Sequence, residues 1–173
     1  MMRSSKHDLP APVRRRIAAI LNARLADAID LQLQAKQAHW NVKGPQFIAL
    51  HELFDQVACD AVVSVDLIAE RAMQLGATAE GTVQIVAQRS SLKPYPIEIS
   101  EGRAHVTALA NALAEVAAKT RAAIDECGQI GDQASADVFT EISRSVDKHL
   151  WLVAAHLTGS HERGLEPTPE NHE

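Results

Sequence analysis

The sequence predicts an all-α protein: four long helices in one bundle, with a long crossover, carrying a short extra helix, between the second and third. Three observations point there. Apolar residues recur every three or four positions along four long segments, the period of a helix with one buried face. Alanine and leucine, both good helix formers, dominate a chain that is 46% hydrophobic and only 3% aromatic. Residues 77–100, containing Gly81, Pro94 and Pro96, make a connection much longer than antiparallel neighbours need. In a bundle such a crossover lets the next helix run parallel to the one before it.

Each element has its own signals. Residues 1–9 read as a short, flexible polar arm, and Pro10 and Pro12 mark a helix start, since proline is tolerated in a first turn. Ile17, Leu21, Leu25, Ile29 and Leu33, reinforced by Ile20 and Ala28, carry the first helix to about His39. Asn41 to Pro45 form a loop, and the second helix is expected from Pro45 to Leu75, stopping at Gly76. Thr82 to Gln88 is a candidate short helix within the crossover. Ser100 is expected to cap a third helix over 101–127 ending at Gly128, and Asp132 to cap a fourth over 133–158 ending at Gly159. One domain therefore spans 10–159, and residues 160–173 form a flexible acidic tail with Pro167 and Pro169.

Composition excludes several classes. No apolar run reaches the length of a membrane span. No hydrophobic stretch follows Met1-Met2-Arg3-Ser4-Ser5-Lys6, so a signal peptide is not expected and the cytoplasm is the expected compartment. Cys59 and Cys127 form no CxxC pair, which leaves a zinc ribbon or disulfide framework unsupported. The net charge of −5 argues against a general nucleic-acid binder. The charge is uneven, however. Arg3, Lys6, Arg14, Arg15 and Arg16 make the start basic and are candidate phosphate contacts, while Glu162, Glu166, Glu170 and Glu173 make the end acidic and repel phosphate.

The chemistry concentrates in His39, His51, Asp55, Asp66 and Glu70, all metal-ligand types in an apolar, helix-patterned stretch. Alone, His39 reads as a helix-end histidine and Asp55 as a solvated carboxylate. Together they point to a metal site, because buried His, Asp and Glu are costly unless paired or bound to metal. His51 and Asp55 are four apart, as are Asp66 and Glu70, so all four share about a 100° arc of one helix. Yet Asp55 and Asp66 are separated by about 16 Å along the axis, and ligands sit only about 2 Å from a metal. The pairs cannot hold the same metal within one chain. Two copies crossing antiparallel near Cys59 to Ala61 bring His51 and Asp55 of one to Asp66 and Glu70 of the other, and two-fold symmetry makes two such sites. No Glu is followed three residues later by His, which speaks against a di-iron centre inside one bundle.

The full pattern of five residues resembles the ferroxidase motif of the Dps mini-ferritins, the DNA-binding proteins from starved cells. Local words match as well: Lys36-Gln37-Ala38-His39-Trp40-Asn41, Gly44-Pro45-Gln46-Phe47, Ile68-Ala69-Glu70-Arg71, and Ser143 to Trp151 with its Asp147-Lys148. The resemblance covers about residues 13–158 and implies a ferritin-like bundle assembled into a hollow dodecamer. It further implies Fe(II) bound at two-fold interfaces, oxidised preferentially by hydrogen peroxide and stored as ferric mineral, so that DNA is spared oxidative damage. By position, His39, His51 and Asp55 come from one subunit and Asp66 and Glu70 from the other. Trp40 matches a tryptophan that traps stray oxidising equivalents in the family, packing at a helix end being the competing reading. Asp132, Asp137 and Glu141, with Asp125 and Glu126 nearby, match the region lining hydrophilic pores through which iron enters; a solvated helix end capped by Asp132 is the alternative.

DNA binding is less clearly implied. Family members that bind DNA use a lysine-rich arm, whereas this arm is short and leaves Arg3, Lys6 and Arg14 to Arg16 as the candidate contacts, with nucleoid association as the corollary. Two rival functions stay open: a nucleoid-compacting structural protein with secondary metal sites, and a bundle that binds zinc only to assemble. His149 and His156 are expected to pack at the surface or an interface. Cys59 is expected to be a buried thiol near the dimer axis, and Trp151 a packing residue.

Overall fold

The computed structural model describes residue 3 and residues 6–158; the acidic tail expected from residue 160 lies outside the described residues. Five helices follow in order: α1 (Ala11–Asn41), α2 (Phe47–Gln74), α3 (Val83–Arg89), α4 (Gly102–Ile130) and α5 (Gln133–Ala155). Among the described residues the only extended pairing is an isolated bridge between Lys43 and Glu101, and no helix is long and apolar enough to cross a membrane.

Two antiparallel hairpins, α1–α2 and α4–α5, pack into the bundle, and the crossover decides their relative direction. Its first end is tied near the start of α1, where Arg14 Nη1 donates to Leu75 O at 2.7 Å. Its last residues meet the end of α1 at the Lys43–Glu101 bridge. The segment thus travels the length of the bundle, and α4 starts where α2 starts and runs parallel to it, as the long connection predicts.

A row of polar side chains on α1 straps the crossover down. Asn22 donates to Thr78 O at 3.0 Å and accepts from Glu80 N at 2.9 Å. Asp27 Oδ1 accepts from Ser91 N at 2.8 Å and from its hydroxyl at 2.7 Å. Asp30 accepts from Ser90 Oγ, and Gln34 donates to Lys93 O at 3.1 Å. A loop lacks partners of its own, so its buried backbone groups must find them elsewhere; α1 provides them.

The apolar stripe of α1 differs from the expected one. Ile17, Leu21 and Leu25 are fully buried, but Ile29 is only partly buried and Leu33 is half exposed. Steps of four advance about 40° per step around a helix, so a strict every-fourth stripe winds off the core. The buried line instead shifts through Ala28, Leu31, Ala35 and Ala38.

Helix ends bring further corrections. α4 runs through Gly128 to Ile130 and stops at Gly131, whose φ of 92° is left-handed. Asp132 N donates back to Cys127 O at 3.0 Å, closing a Schellman-type turn there. Glu101, not Ser100, is the residue before α4, and no side chain caps it. Close approach fixes that start instead: a Cβ at Gly102 would lie 2.9 Å from Leu50 Cδ1. The fourth long helix ends at Ala155. Asp132 does cap it, accepting from Ser135 N at 3.2 Å.

Candidate metal centre

The end of α1 and the start of α2 bring His39 and His51 together. Their rings stack with centroids 3.7 Å apart. His39 Nδ1 lies 2.8 Å from the carbonyl of His51, and His51 Nδ1 lies 2.8 Å from the carbonyl of His39. A carbonyl oxygen only accepts, so each Nδ1 is the donor, and in the neutral ring Nε2 is the nitrogen with the lone pair. That is the tautomer a metal requires, held by the backbone in the manner of ligand-orienting partners in metal sites. Phe47 stands on the other side of His51, centroids 5.1 Å apart.

Asp55 lies one turn further along α2 and is held by Lys36 of α1, Nζ to Oδ1 at 2.7 Å. That hydrogen bond, reinforced by the charges of Lys36, His39 and His51, keeps the Asp55 carboxyl below the usual carboxylate range against some desolvation. Lys36 Nζ also sits 5.7 Å over the Trp40 ring, a cation–π contact. Trp40 itself is 65% exposed beside the histidines. Neither Lys36 nor Phe47 stood out as a site residue in the sequence; the i, i+4 spacing of Lys36 and Trp40 was the available signal.

Asp66 and Glu70 are exposed on the same side of α2 but further along it, and neither makes a hydrogen bond or ion pair among the described residues. Ile48, Val62, Val63 and Met73 are exposed on this side too, together with Cys59, which the isolated chain leaves open rather than buried. Among the described residues no three His, Cys, Asp or Glu side chains of one chain stand close enough to hold a metal. The chain therefore carries a histidine-rich half and a carboxylate half, apart on one face.

Comparison with known proteins follows from this geometry. A family model of the ferritin-like domain matches residues 18–160. A DNA protection during starvation protein of Agrobacterium fabrum is 47% identical over 153 residues, covering 88% of this chain and 94% of that protein. This chain belongs to the Dps family of ferritin-like mini-ferritins. Among solved structures, Dps from Microbacterium arborescens in the high iron form matches with a TM-score of 0.80 at 34% identity, over 86% of this chain and 96% of that one. Dps from Mycobacterium smegmatis matches with a TM-score of 0.87 at 29% identity, over 92% and 96%. Membership places the chain among homo-oligomeric Dps proteins that bind, oxidise and store iron.

Other expected site residues fall into two groups. Asp137 and Glu141 are exposed one turn apart on α5, and Asp125 is exposed at the end of α4. Asp132 is different: it is buried and engaged, accepting from Arg71 Nη2 at 2.9 and 3.0 Å and from Ser135 Oγ at 2.6 Å. A carboxylate spent on a buried ion pair and a helix cap has no lone pair to offer a pore, so Asp132 leaves the expected pore set.

Of the candidate phosphate contacts, Arg14 is buried and bonded to Leu9 O at 3.0 Å as well as to Leu75 O. It pins the arm and the crossover rather than facing solvent. Arg16 pairs with Glu126 at 3.2 Å on the surface. Arg3, Lys6 and Arg15 are exposed. His149 is not a surface residue: it is 2% exposed, with Nε2 2.6 Å from Asp60 Oδ2. His156 is half-buried and Trp151 is 69% exposed. Cys127 is fully buried, and desolvation pushes its thiol up to about 12, which leaves it inert.

Proposed function

We propose that this Dps protein is a peroxide-preferring ferroxidase that stores the Fe(III) it makes inside a dodecameric shell. One observation carries the reading: His39 and His51 are locked with both Nε2 lone pairs available, on the face that also presents Asp66 and Glu70. Two such faces packed antiparallel about a two-fold axis put Asp66 and Glu70 of the partner subunit against His39, His51 and Asp55. Exposed Ile48, Val62 and Val63 supply the apolar surface that such packing buries. Imidazole and carboxylate donors suit Fe(II), which is substrate and cargo here.

The residues divide the work. His39 and His51 bind through Nε2 without losing a proton, because the backbone has already fixed their tautomers. Asp55, held by Lys36 at Oδ1, offers its second oxygen. Trp40, exposed beside the pair, is placed to take up stray oxidising equivalents. Asp137 and Glu141 concentrate Fe(II) at an entry pore. One hydrogen peroxide takes an electron from each of two Fe(II) ions and, with two protons, leaves as two waters, so no hydroxyl radical is released. Removing Fe(II) and peroxide in this way spares DNA without contact, and the proposed setting is the cytoplasm.

The test is direct. Fe(II) is added anaerobically to the purified protein, followed by half an equivalent of peroxide. Fast growth of ferric absorbance, with iron eluting in a cage-sized peak, is the expected result. Slow oxidation with iron lost as precipitate refutes the ferroxidase reading and leaves assembly on zinc, or DNA compaction, as the function.

A further inference from the structure

Tyr95 is the only tyrosine of the chain, and the metal centre does not use it. It is half-buried and lines a cleft of about 890 Å³ between the last stretch of the crossover and the first half of α4. Its hydroxyl lies 2.7 Å from Nδ1 of His105, which is 1% exposed. Burial pushes the Tyr95 phenol up and the His105 imidazole down, so both are neutral near neutral pH. Nε2 of His105 is buried and closes no hydrogen bond. An apolar side chain would pack here at less cost than a half-satisfied imidazole. The pair also stands at the metal-centre end of the bundle. Backbone carbonyls of Asn41 and Ile99 lie near the His105 ring, and Asn41 directly follows Trp40. The Lys43–Glu101 bridge and the packing of Gly102 on Leu50, the residue before His51, close the same end. From Trp40 to Tyr95 the path is thus one peptide unit, the His105 ring and one hydrogen bond.

We propose that Tyr95 and His105 form a proton-coupled redox pair that repairs oxidised Trp40, the Tyr95 hydroxyl donating to His105 Nδ1. The relay rests on Trp40 as the first acceptor of stray oxidising equivalents. Peroxide meeting a lone Fe(II) ion releases a hydroxyl radical. That radical takes one electron from the Trp40 indole and, with one proton, becomes water. Tyr95 then gives one electron to the Trp40 radical cation while its hydroxyl proton passes to Nδ1. Trp40 is restored, and a neutral tyrosyl radical and an imidazolium remain. A phenol becomes strongly acidic when it loses an electron, so a base already hydrogen-bonded to it makes the loss easier. The carbonyls of Asn41 and Ile99 favour the positive ring that results. The cleft leaves Tyr95 open to solvent. There, one electron from a soluble reductant, together with the proton returned from His105, restores the pair.

Pulse radiolysis of the iron-free assembled protein tests the pair, with azidyl radicals as the one-electron oxidant of tryptophan. Trp151→Phe is the background, so that Trp40 is the only tryptophan. The expected result is decay of the tryptophan radical with matching growth of a tyrosyl radical, at a rate independent of protein concentration and slower in D2O. Tyr95→Phe is expected to abolish the tyrosyl signal and prolong the tryptophan radical. His105→Gln is expected to slow the transfer while Tyr95 remains. The D2O comparison needs no change at His105, which covers the case in which that variant fails to fold. A tryptophan radical that decays equally fast in Tyr95→Phe overturns the proposal. Transfer that is as fast in D2O as in water also overturns it, by removing the proton step to His105. No iron takes part, so failure here leaves the ferroxidase reading to its own peroxide assay, and failure of that assay leaves this transfer untouched.

Discussion

His39 and His51 each direct Nδ1 to the other's backbone carbonyl, both at 2.8 Å, while their rings stack at 3.7 Å. The arrangement is reciprocal, so neither ring is positioned without the other. Replacing either by alanine removes one proposed ligand and loosens the second. His39→Ala and His51→Ala are each expected to weaken anaerobic Fe(II) binding by at least about tenfold, the scale on which outer partners of metal ligands act. The double variant is expected to lose much less than the two single losses combined, because residues in one network are not additive. Titration calorimetry of the three variants checks this, and strict additivity would show that the two rings act independently.

Lys36 occupies Oδ1 of Asp55 at 2.7 Å and so places a cation beside the carboxylate proposed to bind Fe(II). Like charges at this separation repel even when water screens them. Lys36→Gln is expected to tighten equilibrium Fe(II) binding severalfold and to leave the fold intact, since Lys36 is partly exposed. Weaker binding in the same titration would mean instead that Lys36 serves chiefly to hold the Asp55 side chain in place.

Asp132 and Arg71 form a buried pair, with side chains 3% and 10% exposed. Burial pushes the Asp132 carboxyl up, but hydrogen bonds from Ser135 and Arg71 outweigh it and the net displacement is downward. A carboxyl whose pKa is lower folded than unfolded contributes its stability above the unfolded value, about 3.9. That contribution is lost as pH falls through the lower folded value. The native protein is therefore expected to lose melting temperature below about pH 4 from this group among others. Asp132→Asn leaves the Arg71 cation buried and unpaired, a cost of about 3–5 kcal/mol. Its melting temperature is expected to be lower at neutral pH and flatter in acid. Melting curves from neutral to acidic pH decide it; a variant as stable as the native protein would deny the pair its structural role.

The sequence carried the architecture because its signals were local. Helical periods, the crossover length and the Asp132 cap each needed only neighbouring residues. The common face of His51, Asp55, Asp66 and Glu70 was legible for the same reason, all four lying on one helix. What escaped depended on contacts distant in the chain. Arg14 reads as a basic surface residue until Leu75 is seen to accept from it, and Asp132 reads as a pore carboxylate until Arg71 does. His149 reads as packing at the surface or an interface until its partner on another helix, Asp60, is seen. The sequence places the stop of the third long helix at Gly128, whereas the left-handed φ that ends it belongs to Gly131.

Removing Asp132 from the pore set leaves Asp137 and Glu141, exposed and one turn apart on α5. A ring of carboxylates raises the local concentration of Fe(II) and its rate of entry, an effect that salt suppresses. Asp137→Asn with Glu141→Gln is expected to slow iron uptake and flatten its salt dependence, while anaerobic binding at the histidines is unchanged. Stopped-flow uptake at low and high salt measures this. Uptake equal to that of the native protein would assign iron entry to another route.

DNA contact, if this chain makes it, falls to Arg3, Lys6 and Arg15, because Arg14 is buried and Arg16 is paired with Glu126. Each phosphate contact contributes about −0.9 to the slope of log affinity against log salt, so a few cations give weak binding that fades by moderate salt. The neighbouring arginines separate fold from function. Arg14→Ala breaks the bonds to Leu9 and Leu75 and is expected to lower the melting temperature while leaving DNA affinity alone. Arg15→Ala is expected to do the reverse, with a shallower salt slope. Gel shifts at low and moderate salt, run beside melting curves, compare the two. Loss of DNA binding in Arg14→Ala at full stability would mean that the buried arginine is exposed in the assembled shell.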